Sequence, residues 1–139
     1  MKLITKFDMN TYQELMMKSL TDLLEEEEIL KYPIYATLMQ RGKHWFGYFG
    51  LTDEYLLIAL LEGSSQIISW TSRVPLDIKE VKVKKSLIPA QYKVRVEFNE
   101  GDPCNIRVSK KVVGFDTQEE NFDGFITYLE QKRISKGGI

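Results

Sequence analysis

The chain has 139 residues, a mass of 16.2 kDa, 43% hydrophobic residues and a formal net charge of −1 at pH 7. That is enough for one domain with one real core, and the near-zero charge excludes the overall cationic bias of a nucleic-acid-packaging protein. Cys104 is the single cysteine, which excludes an intramolecular disulfide and suits a reducing compartment.

At the N-terminus Lys2 and Lys6 surround only Leu3 and Ile4, and no apolar signal-peptide core follows. No apolar run approaches the roughly 20 residues that span a bilayer. The expectation is a soluble, cytoplasmic protein. Asp8 to Glu28 reads as an amphipathic helix. Asp8 can cap it, Met9, Tyr12, Met16, Leu20 and Leu23 form an apolar stripe, and Leu15 and Leu24 widen it. The acidic run Glu25 to Glu28 opposes the helix dipole at the C-terminal end, so the helix should stop before the last of them and leave a solvated segment.

From Ile29 to about Val113 the pattern is β-type. Strands are expected at Pro33–Gln40, Trp45–Leu51, Tyr55–Leu61, Ile67–Val74, Glu80–Ser86, Tyr92–Phe98 and Asn105–Val112, separated by turns. Gly47 and Gly50 in strand two suggest close backbone approach or a sharp bend. Strand three is apolar on both faces and should be covered on both sides. In strand six Tyr92, Val94, Val96 and Phe98 alternate with Lys93, Arg95 and Glu97.

A second helix closes the chain. Thr117 and Glu120 fit a capping box with Phe115 as the staple, and Phe122, Phe125, Ile126 and Leu129 share one face. The organisation predicted is a helical extension over 1–28, a barrel domain with its closing helix over 29–134, and a loose Gly-rich tail over 135–139. The fold class is mainly β with helices: a seven-stranded antiparallel, partly open barrel capped by a C-terminal helix.

The order of these elements resembles the pleckstrin-homology-like (PH-like) superfold. Phe49-Gly50-Leu51-Thr52-Asp53-Glu54-Tyr55-Leu56-Leu57 is similar to a strand-turn-strand segment of bacterial PH-like and GRAM-like domains, with Tyr55 where Arg is common. Val74-Pro75-Leu76-Asp77-Ile78-Lys79-Glu80-Val81 resembles another of their segments, one residue shorter. Asn121 to Phe125 falls where their closing helix begins. The resemblance covers about Ile29 to Gln131. It implies a non-catalytic module that docks on phosphoinositide head groups, on peptides or on itself. Lipid binders of this class carry basic residues at the end of strand one and on strand two. Arg41, Lys43 and His44 stand in the first turn as a candidate ligand site, but strand two continues Trp45-Phe46-Gly47-Tyr48, with no alternating cations.

Residues for catalysis are not assembled by any motif. His44 is the lone histidine, Cys104 has no adjacent base, and there is no phosphate-binding loop, dinucleotide fingerprint or metal-ligand spacing. No enzyme activity, cofactor, metal, small-molecule substrate or nucleic-acid partner is expected. The sharper signal is charge asymmetry. Lys79 to Lys111 holds nine cations and four anions, whereas Asp8 to Glu28 holds one cation and seven anions. Strand alternation places Lys82, Lys84, Lys93, Arg95 and Arg107 on one outward face as a candidate surface for an anionic partner. Trp45 and Trp70 read as core or half-buried strand residues. The leading expectation is a protein-binding or assembly module, with self-association through helix-face and strand-edge burial and the opposed charged blocks. The alternative is peripheral attachment to an anionic membrane, at the inner membrane face, through the basic strands. A third reading is a barrel that carries a small apolar ligand.

Overall fold

The computed structural model describes residues 6–63 and 65–137, with side chains described from residue 12 to residue 134. Helix α1 (Lys6–Thr21) is followed by strands β1 (Lys31–Gln40), β2 (Lys43–Leu51), β3 (Tyr55–Leu61), β4 (Ile68–Pro75), β5 (Ile78–Lys85), β6 (Gln91–Phe98) and β7 (Cys104–Ser109), and by helix α2 (Gln118–Gly137). All seven strands form one antiparallel sheet in the order β4-β3-β2-β1-β7-β6-β5. The mainly β fold with two helices is the one expected from the sequence.

Two apolar clusters lie on opposite faces of the sheet. The inner cluster joins Ile34, Phe49, Ile58, Val94, Val96 and Ile106 to Phe122, Phe125 and Leu129 of α2. The predicted apolar stripe of the second helix is therefore the plug of the curled sheet, and its three largest members are almost fully buried. The outer cluster sets Met16 and Leu20 of α1 on Tyr48, Leu57, Ala59 and Leu61 of β2 and β3. Covered on both sides, β3 is buried along nearly its whole length, which is why its sequence is apolar without alternation. Gly50 is required by this packing: a Cβ there would stand 2.7 Å from Leu30 Cδ1 and 3.3 Å from Leu20 Cδ1. Gly47 faces the inner side, where a Cβ would meet Leu60 Cδ2 and the Ala59 carbonyl at 2.8 Å.

The seam between β1 and β7 is short. Only Thr37 with Arg107 and Leu38 with Ile106 are paired there. Beyond Thr37 the two strands separate, and Gln118 of α2 fills the gap. Its Oε1 accepts from the Tyr35 N–H at 3.0 Å, and its Nε2 donates to the carbonyls of Tyr35 at 2.7 Å and Ser109 at 3.0 Å. One buried amide thus replaces the missing ladder bonds of both strands. Asn121 repeats the device one turn on, donating to the Pro33 carbonyl at 3.0 Å. At the turn between β2 and β3, the buried Thr52 hydroxyl accepts from the amides of Glu54 and Tyr55 at 3.3 and 3.0 Å, which explains the Leu51-Thr52 signature in the sequence.

Several expectations change. Helix α1 ends at Thr21, short of the acidic run within which it was expected to stop, and Glu25 and Glu28 sit in the segment that follows. Glu28 is not simply solvated: Arg73 of β4 grips it through both guanidinium nitrogens at 2.6 and 2.8 Å, and also donates to the Leu23 carbonyl at 2.9 Å. The capping box of α2 is not formed among the described residues. The Thr117 hydroxyl accepts from Asn121 Nδ2 at 3.0 Å instead. Phe115 does not staple the helix either. It stacks on Tyr35 with ring centroids 4.9 Å apart, on the outer side of the sheet. Finally, α2 runs on to Gly137, through the first three residues of the expected loose tail. Asp8 lies inside α1, which already includes Lys6, and so does not cap it. The Met9 side chain, Ser64 of the third turn and the last two tail residues lie outside the described residues.

Replacing Gln118 by Ala leaves buried groups of Tyr35 and Ser109 without partners, so equilibrium denaturation should show a loss of roughly 2–4 kcal/mol. Glu119→Ala, on the exposed side of the same turn, should change stability little. The Arg73 hydrogen bonds hold the Glu28 carboxyl down to about 2, from an ordinary 4.5. A depressed folded value means the contribution is complete above the ordinary value and is lost as pH falls towards 2. The denaturation midpoint of the wild type should therefore decline over that window more steeply than that of Arg73→Met, whose Glu28 keeps only the hydrogen bond from the Glu25 N–H.

Candidate basic cleft

The tight hairpin joining β1 and β2 decides where the first-turn cations stand. Arg41 and Gly42 both have positive φ, 51° and 76°, as a two-residue turn matched to strand twist requires. Gln40 pairs with Lys43 directly across it. Because β1 is the neighbour of β7, this hairpin overhangs the outer surface of β5, β6 and β7. No local sequence pattern carries that information, since the β1–β7 contact joins strands some 70 residues apart.

On that surface the register puts Lys82 opposite Arg95, Lys84 opposite Lys93, and Lys93 opposite Arg107. All five cations expected on one face do share it. Together with the hairpin they line a cleft of about 450 Å³, formed by Met39, Gln40, Arg41, Gly42, Lys43, His44, Lys82, Lys84, Lys93, Val94, Arg95 and Asn105. The two separate candidate sites are thus one site, and seven of their eight residues line it. Arg107 does not: its Nη2 turns to Met39 Sδ at 3.3 Å and supports the cleft wall.

No carboxylate is among the lining residues. Two acids stand beside it. Glu97 accepts from Arg95 Nε at 3.1 Å, and this bond lowers the Glu97 carboxyl below its usual range. Glu80 is 3.8 Å from Lys82 Nζ, a loose pair between exposed groups. Arg95 is further fixed by Asn105 Oδ1 at 3.1 Å. Lys84 and Lys93 face each other with no carboxylate within 4.0 Å among the described residues. Two like charges directly opposed on a sheet are unfavourable unless an anion joins them. The β5–β6 pair therefore supplies the alternating cations that β2 lacks.

Other basic residues of the stretch are used elsewhere. Lys110 pairs with Asp123 of α2 at 3.2 Å and lies over the Tyr92 ring at 5.0 Å. Among the described residues the acidic block makes no ion pair with the basic face, and Glu25 and Glu28 both engage Arg73 on β4. Cys104 is buried at the start of β7, and desolvation pushes its thiol up to about 12, far from a reactive thiolate. His44 is exposed on the hairpin. Among the described residues no group of three His, Cys, Asp or Glu side chains could hold a metal ion, and no helix is long and apolar enough to cross a membrane.

Sequence reasoning missed Gln118, a buried polar residue whose neighbours in the chain are ordinary helix formers. It also missed the pairing of Trp45 and Trp70, which line a second hollow of about 380 Å³ on the inner side of the same hairpin.

No protein-family model matches the chain, and no curated protein matches its sequence. Solved structures do resemble its fold. The hSac2 domain from the human phosphoinositide phosphatase Sac2 superposes with a TM-score of 0.59 at 12% identity, over 91% of this chain and 82% of that one. The C-terminal domain of an unknown protein from Leishmania infantum gives 0.56 at 14% identity, over 85% and 97%. The PDZ-RhoGEF DH/PH chain, from a complex with activated RhoA, gives 0.45 at 10% identity, over 92% of this chain and 40% of that one. At such identities the likeness is one of fold.

Proposed function

We propose that the protein is a non-enzymatic PH-like binding module, of the bacterial GRAM-like kind, that attaches peripherally to anionic membrane from the cytoplasmic side through its basic cleft. The single observation that carries this reading is the convergence of Arg41, Lys43, Lys82, Lys84, Lys93 and Arg95 on one cleft lined by no carboxylate. Six cations beside only two flanking acids, Glu80 and Glu97, hold local positive potential that the net charge of −1 conceals. A cleft of about 450 Å³ is of the size of a phosphorylated head group. Flexible lysines suit a surface of many phosphates, and the anchored Arg95 gives one fixed, planar donor.

The assembly expectation called for burial of strand-edge and helix-face apolar surface, with register set by opposed acidic and basic patches. Met16 and Leu20 are buried against the chain's own sheet, and Glu28 is held by Arg73, so these features are already occupied. The apolar-carrier reading called for an enclosed interior hollow; the middle of the inner side is packed by Phe49, Phe122, Phe125 and Leu129, and the hollow between Trp45 and Trp70 lies at the hairpin end, where Trp70 is half exposed. Both observations favour the cleft as the working surface.

Co-sedimentation with vesicles of phosphatidylcholine containing phosphatidylserine tests the proposal. Binding should be present at low salt, fall steeply as salt rises, and be absent with phosphatidylcholine alone. Lys82→Glu with Lys84→Glu changes the charge by four units and should weaken it on the order of a thousandfold, at about 1 kcal/mol per unit of charge near the surface. No low-salt binding, or binding indifferent to that double reversal, would overturn it.

A further inference from the structure

The β1–β2 hairpin has two working sides. Its outer side forms the basic cleft, and its inner side forms the hollow between Trp45 and Trp70. Gln40 belongs to both, so the two sites are contiguous around the hairpin. The hollow is different in chemistry. Leu38 and Leu60 make its floor, the tryptophans its walls, and no charged residue lines it. Ser69 contributes little polarity, because its hydroxyl is spent on the Leu60 carbonyl at 3.3 Å.

The register explains why this hollow exists. Trp45 pairs with Leu38 and Trp70 with Leu60, so all four point to the inner side of the sheet. Gly47, on the same side of β2, lets the Leu60 side chain lie against the strand and form part of the hollow's lining. Helix α2 plugs the inside through Phe122, Phe125 and Leu129 and is not among the residues that reach the hollow. Trp70 is consequently 50% exposed, and Ile67, just before β4 at the same end of the sheet, is 64% exposed. Other large apolar residues, Leu87 and Val113 among them, are exposed elsewhere, but Trp70 and Ile67 stand together at the end of the sheet that carries the β1–β2 hairpin.

We infer that the Trp45–Trp70 hollow is a bilayer-insertion edge. It rests on the membrane reading of the cleft and adds an orientation: the hairpin end of the sheet points at the bilayer, the cations hold the phosphates, and Trp70 and Ile67 enter the interfacial layer. The occupant is the glycerol and upper acyl region of an anionic lipid. Charge complementarity selects the lipid surface, and continuity through Gln40 brings the hollow to it. Indole suits that depth, with an apolar body and one N–H donor for the wet side. Contact of this kind supplements electrostatic attraction and makes attachment two-component.

Trp45 and Trp70 are the only tryptophans, so intrinsic fluorescence reports on the hollow directly. With mixed phosphatidylcholine–phosphatidylserine vesicles at low salt, emission should shift to the blue and be quenched by lipids brominated on the upper acyl chain. Trp45→Phe should keep the response, which assigns it to Trp70. Trp70→Ser should weaken vesicle binding roughly tenfold by removing interfacial apolar area, yet bind soluble inositol hexakisphosphate as the wild type does. Ile67→Ser, a milder surface change, should weaken vesicle binding in the same direction. If binding remains salt-sensitive and dependent on Lys82 and Lys84 while emission, quenching and the Trp70→Ser affinity do not change, the insertion edge is wrong and the cleft stands. If no salt-sensitive vesicle binding occurs, both fall.

Discussion

One buried amide holds the two halves of this sheet together. The β1–β7 junction has two paired positions, after which the strands part, and a parted junction exposes backbone groups that a core cannot leave unpaired. Gln118 answers three of those groups at once, and it does so from the first turn of α2. The position of the plug helix and the closure of the sheet are therefore one event. Phe122, Phe125 and Leu129 then enter the inner core on the turns that follow.

That arrangement distributes the surfaces. Helix α2 occupies the inner side. Helix α1 occupies the outer side of β2 and β3, and the Arg73 grip on Glu28 holds the connecting chain down at β4. Among the described residues no element covers the outer side of β5, β6 and β7. Closure at β1–β7 also swings the β1–β2 hairpin over this bare side, which is how two distant groups of cations come to share a cleft. The chemistry of the site is thus a product of topology: a sheet order with β1 at another position would scatter the same residues.

Much of this was legible in the sequence for definite reasons. Strand β3 was found to the residue because its apolar run is bounded by a Thr-Asp-Glu turn and a Glu-Gly-Ser-Ser turn. The plug face of α2 was found because four large apolar residues keep helical spacing. The outward cations were found because β6 alternates cleanly, and β5 follows by its own lysines. What was not legible depended on non-local pairing. The union of Arg41 and Lys43 with Lys82, Lys84, Lys93 and Arg95 needs the β1–β7 adjacency. Gln118 reads as an ordinary helix residue until two strands are seen to part beside it. Phe115 sits at a staple position by spacing, yet Tyr35 offers it a stacked partner on the outer side, and that contact wins. Glu28 looked like one of four solvated acids. Only the β3–β4 hairpin brings Arg73 to it.

Amide hydrogen exchange at Tyr35 tests the central claim most directly, because its N–H is bonded to Gln118 and not to a neighbouring strand across the open seam. If the amide of Gln118 closes the sheet, Tyr35 should exchange only through global unfolding, with the same protection as Val94 and Val96 in the middle of β6. Rapid exchange at Tyr35 while those two amides stay protected would show that the seam opens on its own, and would contradict the account.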